Sequence, residues 1–127
     1  MGGYAARRDW LRENRETAVR FLQALLMAYG VLQKAPGIGV RTVATEMGIK
    51  ERNAKKIYQD APPPKIYLWT DPRYRYSLVK GAAFHRRLGY LSSFLFDEKV
   101  ISQKVDVRDI LDVSVITEAV KKWKTGQ

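Results

Sequence analysis

The residues best able to do chemistry are four basic side chains grouped in one short segment. Lys50, Arg52, Lys55 and Lys56 closely follow Gly48. Basic side chains on an exposed helix contact the phosphates and base edges of DNA. The interleaved residues are small or apolar, as two crossed helices joined by a tight turn require: Val43, Ala44, Met47, Ile49, Ala54 and Ile57. This pattern is typical of a helix-turn-helix, and under that interpretation the four basic residues would contact nucleic acid.

The same segment has a simpler structural interpretation. Two packed helices joined by a glycine turn show this pattern without binding anything. Ala54 is also small for the residue that normally separates the two helices. Ordinary helix packing is therefore the first interpretation, and a small basic DNA-binding protein is the alternative.

The overall charge leaves both interpretations open. The 127 residues include 23 Lys and Arg against 13 Asp and Glu, which gives a net charge of +10. Such an excess suits nucleic acid, an anionic membrane or an acidic substrate. The basic residues are dispersed along the chain, however, which slightly favours a solvated basic surface as their explanation. Nucleic acid is thus neither the favoured partner nor an excluded one.

Catalysis and metal binding have little support in the composition. The chain has no cysteine and a single histidine, His85, which excludes thiolate zinc sites, cysteine nucleophiles and multi-histidine metal sites. His85 beside Arg86 and Arg87 suits either an anion site or a solvated surface, and the latter is commoner. We therefore expect no enzyme activity, no catalytic residue, no metal and no cofactor.

Two further groups of residues have a functional and a structural interpretation. Asp106, Asp109 and Asp112 recur at every third position, which suits a cation site or, more simply, turns and helix caps. A group of aromatic residues could stack on nucleic-acid bases, or could hold the proline-rich loop at 61–64 against a helical core. We favour the second interpretation for these residues: Tyr67, Trp69, Tyr74 and Tyr76.

The elements that position these residues are predicted to be helices. Apolar spacing predicts an all-α fold of five or six helices in one domain over residues 1–127, divided at the proline-rich joint into 1–61 and 62–127. The clearest helix begins after an Asn14 cap and ends near Lys34. The later elements are a possible extended run at 65–69, a helix opened by 70–72 and ending near 97, a short turn or 3₁₀ piece at 105–111, and a last helix from Ser114.

Several stretches resemble one protein family. They are Trp10–Phe21, 21–26, Val43–Ile49, Ala54–Tyr58, Leu91–Val107 and Leu111–Lys121. In order and spacing these stretches are similar to the C-terminal helical part of periplasmic substrate-binding proteins. The similar proteins serve ABC importers of nitrate, sulfonates, taurine and thiamine precursors.

The resemblance implies a fragment of a solute-binding component. It implies a periplasmic location, an ABC permease as partner and a small-molecule ligand only in the full-length context. The strand-rich lobes and most ligand-contacting residues of that family precede the matching region, so no ligand-binding residue can be assigned here. Without a sheet to cover the long helix, we also expect a homodimer or an exchanged-helix oligomer that buries its further apolar residues, which include Val19, Leu26 and Val31. The simpler alternative is that the helices close on themselves into a compact monomer.

Overall fold

The computed structural model describes residues 4–125 and confirms the all-α fold class. This part of the chain forms seven α-helices and one 3₁₀ helix, without a strand. The helices are α1 (Arg8–Glu13), α2 (Arg15–Lys34), α3 (Pro36–Met47), α4 (Glu51–Asp60), a 3₁₀ helix (Ile66–Leu68), α5 (Ala83–Asp97), α6 (Val107–Ile110) and α7 (Ser114–Thr125). The predicted number of five or six is exceeded because α1 and α6 form as short helices of six and four residues. Residues 1–3 and 126–127 of the predicted domain lie outside the described residues.

The core lies where α2 packs against α7. Val19 and Leu26 of α2 and Ala119 of α7 have no exposed surface at all. The 3₁₀ helix and the residue after it add Ile66 and Trp69 to the same apolar cluster. Removal of this apolar surface from water is the main stabilisation of the fold.

The second apolar face of α2 therefore has a cover within the chain. We expected Val19, Leu26 and Val31 to need a second copy, but the first two are buried in the core. Only Val31 remains half exposed, at 51%. Leu26 is therefore not an exposed contact residue, because α7 covers it; the homo-oligomer itself stays a prediction.

The segment from 65 to 82 departs most from the sequence prediction. The run at 65–69, for which an extended conformation was one prediction, instead forms the 3₁₀ helix, in which the Trp69 N–H donates to Ile66 O at 3.0 Å. The helix predicted to open at 70–72 begins only at Ala83. Asp71 instead accepts a hydrogen bond from the Arg73 backbone N–H at 3.0 Å, which forms a turn of the kind that aspartate favours.

Further hydrogen bonds hold this turn segment against the 3₁₀ helix. The Leu78 N–H and the buried Ser77 hydroxyl both donate to Trp69 O, at 2.9 and 3.2 Å. These bonds satisfy backbone groups that an earlier helix start would have used, so the chain turns here instead of continuing as helix.

None of the helices within residues 4–125 is both long enough and apolar enough to cross a lipid bilayer.

Candidate nucleic-acid interface

The two helices α3 and α4 pack against each other across a three-residue turn. Gly48 ends α3 with φ of 62°, a left-handed conformation that glycine adopts without steric cost. The Ile49 N–H then donates to Ala44 O at 3.0 Å and closes the turn. Ala44 and Ala54 are buried between the helices, as the helix-turn-helix pattern predicts.

A second close approach fixes α3 against α4. The backbone at Gly39, which is buried, lies against the ring of Tyr58. A Cβ atom at residue 39 would lie 2.8 Å from Tyr58 Cζ and 3.0 Å from its Oη. This pair could not be predicted from the sequence, because residues 19 positions apart show no periodic signal that links them.

The exposed face of α4 carries most of the predicted contact residues. Successive residues of an α-helix are rotated by about 100°, so Arg52, Lys55 and Lys56 fall within an arc of about 100° on the side away from Ala54. All three are exposed. Lys50 is exposed too, but it precedes the helix as its N-cap, with φ of −66° and ψ of 142°.

One further polar residue lies on this face and was missed from the sequence. Gln59 is exposed and falls within the arc of Arg52, Lys55 and Lys56. The spacing of 52, 55, 56 and 59 is the usual one for neighbours on a helix face, and it could have revealed Gln59. We call these four residues the α4 basic face.

The basic residues of this region are free to meet an external anion. Among residues 4–125, no carboxylate lies within 4.0 Å of the side chains of Lys50, Arg52, Lys55 or Lys56. Ion pairs that form elsewhere in the described chain use other residues, such as Arg15 with Glu118 at 3.3 Å. Phosphate groups would therefore not have to displace an internal partner.

Two of the three aspartates serve as turn and cap residues. The Asp106 carboxylate is the N-cap of α6 and accepts a hydrogen bond from the Arg108 N–H at 2.8 Å. The hydrogen bond from the Arg108 guanidinium lowers the pKa of Asp106 to about 2. Asp112 Oδ1 accepts from the Ser114 N–H at 2.8 Å at the start of α7. No set of three histidine or carboxylate side chains within residues 4–125 is placed to hold a metal ion.

The aromatic group mostly belongs to the core. Trp69 is buried, and the ring of Tyr67 lies 5.6 Å from Tyr29 and 6.0 Å from Trp123, measured between centroids. The pKa of the Tyr29 hydroxyl is raised, first by its burial and then by the neighbouring Tyr67. The loop after the prolines is thus held on α2 and α7, which agrees with the structural interpretation of these residues. His85 is half-buried, and Arg86 and Arg87 beside it are exposed.

An open groove offers a different kind of site. It measures about 1110 Å³ and lies between the N-terminal segment, α2 and the segment from α6 to α7. Its apolar walls include Trp10, Phe21 and Leu22. Arg8, which also lines it, donates to Asp109 O at 2.9 Å.

Comparisons of the chain with protein-family models, with curated proteins and with solved structures find no match. The resemblance to substrate-binding proteins therefore stays a prediction, and the geometry of the chain itself has to carry the functional argument.

Proposed function

We propose that this protein binds duplex DNA through the α3–α4 helix-turn-helix, with the α4 basic face directed into the major groove. The observation that carries the proposal is the placement of Arg52, Lys55, Lys56 and Gln59 opposite the buried Ala54. The side of α4 that packs on α3 is thus separate from the side that would meet DNA. The net charge of +10 supports the same conclusion.

The side chains of this face suit distinct kinds of contact. Lysine binds phosphate as a compact point charge, whereas arginine forms paired hydrogen bonds with guanine and glutamine does so with adenine. We therefore assign Lys55 and Lys56 to the phosphates, and Arg52 and Gln59 to base edges. Lys50, at the start of α4, would add a further phosphate contact.

The first experiment compares two variants of equal charge change. Lys55→Glu with Lys56→Glu places two acidic residues on the α4 basic face, and Lys121→Glu with Lys124→Glu does the same on exposed positions of α7. We expect the first variant to lose at least about tenfold in affinity for duplex DNA, because close phosphate contacts become repulsive. The second variant should lose much less. Equal losses would mean that only net charge attracts DNA, which would contradict a docking role for α4.

The substrate-binding interpretation is retained as a second candidate, because the apolar groove between α1, α2 and α6 provides room for a small molecule. Under this candidate the chain is part of a periplasmic ABC-importer component that delivers its ligand to a permease. The isolated chain is then expected to bind nitrate, sulfonates and pyrimidine precursors weakly at best. Calorimetry checks this expectation: saturable micromolar binding would show that the isolated chain is ligand-competent, which would contradict the interpretation of the chain as a fragment that binds only in the full-length context. A sequence-specific duplex footprint lost in the Lys55→Glu, Lys56→Glu variant would exclude this candidate in favour of DNA binding.

A further inference from the structure

Helix α5 is fixed to the rest of the chain by one face only. The Ser92 hydroxyl donates to Val105 O at 2.9 Å and accepts from the Val105 N–H at 2.7 Å. Gly89 faces Val107 on the same side. Among the helices within residues 4–125, α6 makes the main contact with α5, and this contact is small.

The opposite face of α5 is apolar and exposed. Leu91 and Phe94 are 49% and 58% exposed, and Tyr90 beside them is 74% exposed. Aromatic and leucine side chains that adjoin on a helix surface form a patch of the kind that protein partners cover. The patch is too short for its apolar residues alone to identify a partner. The charged residues at its two ends indicate which partner it fits.

Those charges are arranged symmetrically about the patch. Arg87, Leu91, Phe94 and Glu98 recur at intervals of four, three and four residues, which places them on one stripe of the helix. The stripe is basic at the start of α5 and acidic at its end. A helix dipole favours the reverse order, so α5 gains nothing from this arrangement on its own.

The two terminal charges also lack an internal partner. Among residues 4–125, no oppositely charged group lies within 4.0 Å of Arg87 or Glu98, whereas the neighbouring Asp97 lies 3.7 Å from Lys104. An antiparallel copy of the same stripe would place an acidic residue opposite Arg87 and a basic residue opposite Glu98. Residues 87 and 98, and likewise 91 and 94, are equally spaced about the midpoint between Ser92 and Ser93.

We propose that the α5 face is a homodimer contact, in which α5 of one copy lies antiparallel to α5 of a second copy. Leu91 of each copy packs against Phe94 of the other, and Arg87 of each copy pairs with Glu98 of the other. Such a contact is isologous and closes on itself, as the commonest dimers do. This inference does not depend on DNA binding.

The size of the contact predicts a weak dimer. One pair of helices of four turns buries less than the roughly 1,600 Å² of a standard stable interface. We therefore expect dissociation in the micromolar range, with a dependence on salt from the two ion pairs.

The test uses complementary charge variants of the full chain. Arg87→Glu alone and Glu98→Arg alone each place like charges opposite one another in a symmetric dimer. Each should therefore be monomeric where the unchanged protein is dimeric, with a dissociation constant raised at least about tenfold. Mixed together, the two variants match at both ends, and analytical ultracentrifugation should show a heterodimer.

Apolar variants provide the second measurement. Phe94→Ala should weaken the dimer by a similar factor, whereas Met27→Ala, on an exposed residue of α2, should leave it unchanged. Far-UV circular dichroism checks that all variants keep their helices. A monomer at all concentrations overturns the proposal. So does a dimer that tolerates Phe94→Ala, or a mixture of charge variants that fails to associate.

Discussion

Gly39 of α3 lies so close to Tyr58 of α4 that no larger residue fits at position 39 without a shift of the ring. The two residues join the ends of the helix pair that are far from the Gly48 turn. The turn and this contact together set the orientation of α4, and with it the direction of the α4 basic face. A small residue at position 39 is therefore a requirement of the proposed interface as well as of the packing.

Enlarging residue 39 should destabilise the protein and weaken DNA binding together. Gly39→Ala would place its Cβ 2.8 Å from Tyr58 Cζ, and such overpacking costs about 1 to 3 kcal/mol. The gain of roughly 0.5 to 1 kcal/mol that alanine gives inside a helix offsets only part of this cost. Gly30→Ala is the matched control, because no atom lies within 4 Å of its Cβ position inside α2. Alanine should stabilise that helix by roughly 0.5 to 1 kcal/mol. Urea unfolding checks both, and shifts of the same sign would contradict the account.

Lys99 offers a stabilising substitution. It follows α5 with φ of 59°, and it is the only non-glycine residue within residues 4–125 that has a positive φ. Left-handed backbone costs an L-residue about 1 to 2 kcal/mol, so Lys99→Gly should raise the melting temperature. Lys99→Ala is the control, since it removes the charge but keeps the strain. If the alanine variant gains as much as the glycine variant, the backbone argument fails.

The Asp106 cap of α6 predicts a pH dependence of stability. The Arg108 guanidinium lowers the pKa of Asp106 to about 2 in the folded protein, well below its ordinary value of 3.8. Because the folded pKa is lowered, the ionised Asp106 carboxylate stabilises the folded protein above the unfolded pKa, and this stabilisation is lost as the pH falls through about 2. Asp106→Asn should therefore lower stability near neutral pH and flatten its decline in acid.

The control for this cap is a second carboxylate in the same helix. Asp109→Asn removes an equal charge from α6 but leaves the hydrogen bond from the Arg108 N–H to Asp106 in place. Thermal unfolding from neutral to acidic pH compares the two variants with the unchanged protein. Identical curves for both variants would show that charge alone, and not the pairing of Asp106 with the Arg108 guanidinium, sets the dependence.

Alanine substitutions at Leu26 and Met27 should differ greatly in their cost to stability, although the two residues are adjacent in α2. Leu26 is fully buried against α7 and Met27 is 64% exposed. Leu26→Ala should cost about 2 to 5 kcal/mol of unfolding free energy, and Met27→Ala less than about 0.5 kcal/mol. Denaturant titration measures both. A small cost at Leu26 would mean that α7 does not cover α2 as the structure shows.

Sequence reasoning predicted the elements that depend on neighbouring residues. The boundaries of α2, the Gly48 turn and the basic stretch of α4 all follow from local periodicity and from glycine and proline positions. The start of α5 at Ala83 was missed, because the turns before it depend on hydrogen bonds from Ser77 and Leu78 to Trp69 O.

Contacts between residues far apart in the chain could not be predicted from local sequence patterns. The burial of Leu26 depends on α7, about 90 residues away, and the Gly39–Tyr58 approach joins two separate helices. In the candidate interface, the basic residues could be named from the sequence alone. The sequence alone could not show that these residues lie on the side of α4 away from its packed side, because that depends on where α3 lies.

The salt dependence of duplex binding tests the central claim most directly. Each lysine that contacts a phosphate contributes roughly 0.9 to the slope of log K against log salt concentration. Lys55→Gln with Lys56→Gln should therefore make the slope shallower by about 2, whereas Lys121→Gln with Lys124→Gln should leave it nearly unchanged. Equal slopes for the unchanged protein and the Lys55, Lys56 variant would contradict the proposal that α4 docks on DNA.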